Sequence, residues 1–182
     1  MKLKHLHTHL SRLIIGAVFV FSGFVKGVDP LGTAFKLEDY FNAYGTLWAN
    51  DYALALSILL CTFEFFIGAA LLFSLHIRKT AWLLLFTMSF FTLLTFYDAL
   101  YSPVTDCGCF GDAIKLTNWE TFYKNLVLML PTLVVFINRK RFRPMVMPLL
   151  QNILAVAFIA TFVWMSVYQY EHEPFIDFRP WK

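Results

Sequence analysis

The chain has 182 residues, of which 59% are apolar and only 15% are charged, and its mean hydropathy is +0.62. This composition excludes an ordinary soluble domain and favours a lipid bilayer as the main environment of the chain. A formal charge of +3 is too small to suggest a nucleic-acid partner.

Five stretches each contain roughly 20 mostly apolar residues, the length that a transmembrane helix requires. They lie near residues 10–26, 52–75, 81–101, 119–137 and 146–168. The first stretch follows a basic segment, but no small-x-small cleavage site follows it, so we interpret it as a retained anchor rather than a signal peptide. The sequence therefore predicts an all-α integral membrane protein with a single membrane domain, a four-helix transmembrane bundle plus a fifth transmembrane helix.

Lys and Arg residues cluster in three segments that contain no Asp or Glu. These segments are the N-terminal arm, the link between the second and third spans, and the link between the fourth and fifth spans. Short cytoplasmic loops are enriched in Lys and Arg. We therefore expect a multi-pass protein with its N-terminus in the cytoplasm and its C-terminus on the outer side of the membrane.

The first outer loop, residues 27–51, is long enough to hold a helix of its own. Asp29-Pro30 is typical of a helix start, and apolar residues then recur at helical spacing from Leu37 to Trp48. This pattern predicts an amphipathic helix that lies either in the outer membrane interface or across the mouth of the bundle. Either position would make it a partial lid beside the second outer loop.

The second outer loop, residues 102–118, contains two cysteines, Cys107 and Cys109, on either side of Gly108. Cysteines one residue apart can form a disulfide only across a tight turn, which glycine permits because it readily adopts positive φ. Such a bridge would be strained and exposed, and disulfides of that kind exchange readily. The spacing favours thiol–disulfide exchange, while a static bridge and two reduced cysteines without a role remain open.

Metal binding is the weaker alternative for this loop, because two sulfurs need two further ligands and the loop contains no His. No metal site is predicted. Asp106 and Asp112 flank the cysteine pair and disfavour thiolates. A group elsewhere, such as Lys115 or a helix N-terminus, must then activate the thiols.

The third cysteine, Cys61, lies in the second span, with Glu64 on the same helical face. An ionisable group in mid-membrane costs on the order of 3 kcal/mol and by default marks a functional site. Structural hydrogen bonds from Glu64 to Ser22 or Thr62 are the alternative. Cys61 lies roughly 13 Å below the outer end of its helix. The cysteine loop would therefore have to fold inward to contact it.

Two further charged residues lie at the outer ends of spans, Lys26 in the first and Asp98 in the third. Both positions allow a contact between the two residues near the cysteine loop. Snorkelling of Lys26 to the membrane interface explains that lysine equally well. We treat both residues as candidates that support the site.

Three features together resemble the DoxX superfamily, and specifically its MauE-like branch, over roughly residues 10–137. They are Phe21-Ser-Gly-Phe-Val-Lys26, Glu64, and Asp106-Cys-Gly-Cys-Phe-Gly-Asp112. The resemblance implies a four-helix core and a bacterial inner-membrane protein that takes part in envelope thiol or quinone chemistry beside a periplasmic thioredoxin-like partner. It also implies that Cys107 and Cys109 exchange electrons. The fifth span and the tail, residues 169–182, depart from this pattern.

The leading hypothesis is a redox protein that passes electrons between an extracytoplasmic thioredoxin-like partner and a membrane carrier such as a quinone. Cys107 and Cys109 would be the exchanging pair, Glu64 would handle the proton, and Cys61 is the candidate second thiol. The direction of electron flow stays open, and so does whether the chain is itself an enzyme. The alternative is a non-enzymatic membrane subunit that anchors or stabilises a larger envelope complex. A small transporter is less favoured because paired broken helices are absent from the sequence pattern.

Overall fold

The structure is a computed structural model that describes residues 6–104, 108–114, 116–142 and 144–172. Its elements in chain order are α1 (Leu6–Val28), α2 (Pro30–Ala43), a 3-10 helix (Leu47–Tyr52), α3 (Ala53–Leu72), α4 (Ile77–Tyr101), β1 (Cys109–Asp112), α5 (Asn118–Ile137) and α6 (Pro148–Glu171). Five helices, α1, α3, α4, α5 and α6, are long and apolar enough to cross a membrane. Each of the five predicted spans therefore corresponds to a helix.

Polar residues at the starts of α2 and α5 act as helix caps. The Asp29 Oδ1 atom accepts a hydrogen bond from the Gly32 N–H at 3.1 Å, and Pro30 occupies the first turn. This confirms the predicted start of the helix in the first outer loop. At α5, Thr117 and Glu120 form a reciprocal capping box, in which each side chain accepts a hydrogen bond from the other residue's backbone N–H.

Helices α1 and α3 form the closest pair in the bundle, and glycines make that approach sterically feasible. A Cβ atom added at Gly23 would lie only 2.6 Å from the Phe65 backbone nitrogen. A Cβ atom at Gly68 would lie 2.5 Å from the Val20 backbone nitrogen. Small residues allow this kind of backbone contact between membrane helices. The two glycines consequently define the register of α1 against α3.

The apolar core occupies the half of the bundle nearest to the basic segments. Its buried side chains come from α1, α3, α4, α5 and the segment after α5. They are Ile15, Phe19, Ile67, Leu71, Ile77, Ala81, Leu84, Met88, Val135 and Phe142. The other half of the bundle, which is nearer to β1 and α2, buries several polar side chains instead.

Helix α6 is peripheral and packs mainly against α3. It buries few of its side chains, among them Phe162, whose ring stacks on Phe65 with 4.3 Å between the ring centroids. Its other faces carry exposed apolar residues such as Val156 and Trp164. Because α6 adds little to the apolar core, the core is built mainly by the first four spanning helices.

Candidate functional site

A buried ion pair joins α1 to α3. The Lys26 Nζ atom lies 2.5 Å from each carboxylate oxygen of Glu64. Lys26 is only 4% exposed and Glu64 only 2% exposed, so the pair is almost completely removed from the surface. Burying two charges requires close pairing to offset the loss of solvation. The partner of Lys26 is thus Glu64 and not Asp98, the contact considered from the sequence.

Ser22 connects this ion pair to the cysteine loop. Its hydroxyl lies 2.8 Å from the Glu64 Oε2 atom and 2.8 Å from the Cys109 carbonyl oxygen. A hydroxyl has a single proton, so it donates to only one of these oxygens at a time. The sequence analysis named a hydrogen bond between Ser22 and Glu64 as the alternative to a functional role of Glu64, and this contact is present. The contact between Ser22 and the Cys109 carbonyl was not predicted.

The cysteine loop folds inward against α1. Strand β1 packs along that helix, and the Gly111 N–H donates to the Gly108 carbonyl at 2.9 Å to form a tight turn. Both glycines have positive φ, +64° at Gly108 and +55° at Gly111. These values lie in the left-handed region that glycine adopts at little cost. The turn brings the Cys109 backbone carbonyl to Ser22 of α1. Direct contact between the loop and Cys61 stays a prediction.

Part of the predicted site lies outside the described residues. This applies to Cys107, Asp106 and Lys115, and to the side chain of Asp112. The proposed bridge between Cys107 and Cys109 therefore remains a prediction. The same holds for residues 173–182 of the predicted outer tail.

Lys26 also lies near the two described cysteines. It interacts electrostatically with the sulfur atoms of Cys61 and Cys109. Cys61 is fully buried beside the hydroxyl groups of Thr33 and Ser57. A nearby cation stabilises a thiolate, which is the reactive form of cysteine. Lys26 also packs beside Gly111 of the cysteine loop, so it is a candidate for the group that activates Cys109, in addition to Lys115 or a helix N-terminus.

Asp98 holds the helix of the first outer loop against α4. The Tyr40 hydroxyl donates to the Asp98 Oδ2 atom at 2.6 Å, and Asp98 is fully buried. Its Oδ1 atom has no hydrogen-bond partner among the described residues. Asp98 is therefore linked to α2, and α2 covers the same region of the bundle as the cysteine loop.

A cavity of about 530 Å³, here called the chamber, lies beneath α2 and β1. Aromatic residues such as Phe19, Phe91 and Phe110 form much of its wall. Polar side chains converge on the same space. They are Ser22, Lys26, Lys36, Tyr40, Glu64, Lys124 and Asn125. A pocket of this size, largely apolar with a few convergent polar groups, is typical of small-molecule sites.

Two polar residues of α5 in the chamber were missed by sequence reasoning. The Lys124 ammonium lies 4.3 Å from the centre of the Phe110 ring, a cation–π contact that joins α5 to β1. The Asn125 amide donates to the Thr95 hydroxyl of α4 at 3.1 Å. In the sequence both residues belong to the polar start of the fourth apolar stretch, which gave no sign of a functional role. Both residues lie about two helical turns beyond the capped N-terminus of α5.

Comparison with protein families relates most of the chain to a known family. Residues 4–138 match the family described as methylamine utilisation protein MauE. The matched segment includes α1 to α5, the ion pair and all the chamber residues named above, and it ends before α6. Comparisons with curated proteins and with solved structures gave no match.

Proposed function

The chain belongs to the family of the methylamine utilisation protein MauE, and from that membership we propose that it is a thiol–disulfide redox protein of the bacterial inner membrane. Its partner is a thioredoxin-like protein on the outer side, and its electron carrier is quinone-like. The family description names methylamine utilisation. Within that process, the chemistry proposed here would serve to mature an enzyme that contains disulfides. The observation that carries the proposal is the path from the Lys26–Glu64 pair through Ser22 to Cys109.

The exchange step uses Cys107 and Cys109. The thiolate of one cysteine attacks the partner's disulfide, so that a mixed disulfide forms and the partner's second sulfur leaves as a thiolate. The other cysteine then attacks the mixed disulfide, which leaves the partner reduced and the pair oxidised. The same steps in reverse oxidise the partner. Electrostatic interaction between Lys26 and Cys109 supports this chemistry because it stabilises a thiolate.

Glu64 and Ser22 supply the route for the proton. Oxidation of two thiols to a disulfide releases two electrons and two protons, and a carboxylate near the sulfur atoms can accept a proton. The Ser22 hydroxyl lies between Glu64 and the Cys109 backbone, within 2.8 Å of each. Burial of Glu64 keeps bulk water from competing for this proton.

The chamber fits a quinone-like carrier. When bound, such a ring accepts two electrons and two protons. The aromatic wall, including Phe91 and Phe110, provides flat apolar surfaces for the ring, and Ser22, Lys26 and Lys124 provide donors for its carbonyl oxygens. The donors lie at the same end of the chamber as the cysteine loop. This arrangement supports electron transfer over a short distance.

One observation favours the alternative function, a membrane subunit that anchors a larger envelope complex. The 3-10 helix presents three large side chains to the outside, with Leu47 63%, Trp48 74% and Tyr52 59% exposed. Such residues suit a membrane interface or a protein contact. Under this hypothesis the cysteine pair forms a fixed bridge and never exchanges.

Mass-tagging of thiols in cells distinguishes the two functions. Under the redox proposal, the oxidation state of Cys107 and Cys109 shifts when the partner is deleted, and a Cys109→Ser variant traps the partner as a mixed disulfide through Cys107. Cys61→Ser tests the candidate second thiol separately, since it removes a cysteine that lies outside the loop. If the pair stays fully oxidised in every partner deletion and the Cys107→Ser and Cys109→Ser variants both retain function, the chain is not a redox protein.

A further inference from the structure

A second cavity lies at the opposite end of the bundle from the chamber, beside the first turn of α4. It has a volume of about 350 Å³. Its walls combine apolar side chains, including Ile77 and Phe142, with the basic residues Arg78 and Lys79. We call this space the basic cavity. It is independent of the cysteines and of the function proposed above.

The basic side chains of the basic cavity have no acidic partner among the described residues. Neither Arg78 nor Lys79 forms an ion pair with any described residue. The first turn of α4 contains no acidic side chain, and the residue that precedes the helix makes no capping hydrogen bond through its side chain. The N-terminus of a 25-residue helix adds further positive potential to the side chains there. The local field therefore favours an anion.

Arg12 adds a buried positive charge near the basic cavity. It is only 4% exposed, and its Nε atom has no hydrogen-bond partner among the described residues. Its guanidinium carbon lies 5.6 Å from the centre of the Phe142 ring, which forms part of the cavity wall. A buried guanidinium without an anionic partner is unfavourable. Arg12 does not itself line the basic cavity, so an anion there would reduce this cost through longer-range attraction.

Helix α6 completes the basic cavity. The backbone N–H of His76, which immediately precedes α4, donates to the Gln151 Oε1 atom at 2.8 Å. The His76 ring is 2.8 Å from the Asn152 Oδ1 atom, and the Gln151 amide donates to the Val146 carbonyl at 2.9 Å. The matched family segment ends at residue 138, so these contacts come from the part of the chain that extends beyond it. The cavity is thus lined jointly by the start of α4, the link after α5 and Gln151 of α6.

We propose that the basic cavity binds the phosphate group of an anionic phospholipid and that this lipid fastens α6 to the four-helix core. The recognised chemistry is a phosphate with a net negative charge. A lipid fits better than a soluble phosphate because the cavity lies at the end of membrane-spanning helices and has apolar walls, Ile77 and Phe142, for the start of the acyl chains. The loop charges predict that this end faces the cytoplasmic leaflet, where anionic lipids attract basic segments.

Native mass spectrometry of the full-length protein in detergent tests the proposal, with phosphatidylglycerol and phosphatidylcholine as probes. We expect selective retention of phosphatidylglycerol and a loss of at least about tenfold in its affinity for Arg78→Gln/Lys79→Gln. The matched control is Lys140→Gln/Arg141→Gln, which removes two exposed charges at the same end that do not line the cavity. The control should change the affinity less than about threefold.

A charge-preserving variant, Arg78→Lys/Lys79→Arg, guards against a folding artefact and should retain the lipid. Equal losses in the cavity variant and the control would overturn the proposal, since they would indicate a diffuse basic surface. Equal retention of phosphatidylcholine would also overturn it. A third arm adds inorganic phosphate. If phosphate alone displaces phosphatidylglycerol at millimolar concentration, the site serves a soluble anion and the lipid assignment is wrong.

Discussion

The two ends of the bundle treat buried charge in opposite ways. At the chamber end, Lys26 has its counterion in Glu64, and both side chains are nearly inaccessible. At the basic end, Arg12 is buried without an acidic partner among the described residues. At the chamber end the positive charge is balanced by a carboxylate within the protein, and such a pair is suited to moving a proton. At the basic end the positive charge has no acidic partner among the described residues, so a bound anion would stabilise the folded protein.

Replacing the buried basic residue at each end by Met should give the largest difference in the free energy of unfolding. Lys26→Met leaves Glu64 buried without its cation, and we expect it to lower the free energy of unfolding by about 3–5 kcal/mol. Arg12→Met removes a buried charge that has no protein counterion, so its cost in lipid-free detergent should be under about 1 kcal/mol. Denaturant titration of the two purified variants measures the difference. Equal costs would mean that the two ends do not differ in this respect.

Substitution of Glu64 tests whether the charged pair at the chamber end takes part in proton transfer. Glu64→Gln removes the proton acceptor, and we expect oxidation of the cysteine pair by a soluble quinone to slow by about 100-fold. Glu64→Asp keeps a carboxylate and should retain more than about a tenth of the rate. Stopped-flow absorbance of the quinone gives both rates, with thermal unfolding as the check on folding. A Gln variant that is folded and fully active would remove the proton role.

The close packing of α1 on α3, which positions the Lys26–Glu64 pair, can be tested by adding a methyl group at two glycines of α1 that have different space around them. Gly23→Ala places a methyl group against the backbone of Phe65, so we expect a loss of about 2 kcal/mol in unfolding free energy. Gly16→Ala is the matched variant nearer to the basic end. Its added carbon would lie 3.0 Å from the Leu72 Cδ2 atom, which belongs to a side chain that can move. A smaller loss is expected there, and the reverse order would contradict the packing described above.

The smallest expected effect concerns the contact between α2 and α4. Tyr40→Phe removes the hydroxyl that donates to Asp98, at an expected cost of about 1 kcal/mol. With α2 less firmly held, Cys109 should react faster with a membrane-impermeant maleimide. Tyr97→Phe removes a partly exposed hydroxyl on α4 and is the control. Labelling rates that are the same in both variants would show that this hydrogen bond does not restrict access to the loop.

Several features of the fold were predictable because they depend on local sequence alone. A spanning helix needs only its own apolar length, so five helices follow from hydropathy. The start of α2 at Asp29-Pro30 and the positive φ of Gly108 are also local, since each rests on one or two residues. The boundaries were less accurate. For example, the first span was predicted over residues 10–26, whereas α1 runs over Leu6–Val28.

The sequence by itself determined a multi-pass helical membrane protein, the candidate residues Glu64 and Cys109, and the asymmetry of charge between its loops. Only the tertiary structure decided which of these residues meet. Lys26 faces Glu64 because glycine contacts set the register of α1 on α3. Asp98 faces Tyr40 because α2, which packs mainly on α3, reaches α4 through the Tyr40 hydroxyl. The chamber likewise draws its walls from five helices and β1. Contacts between distant segments depend on helix rotation and register, which hydropathy does not encode.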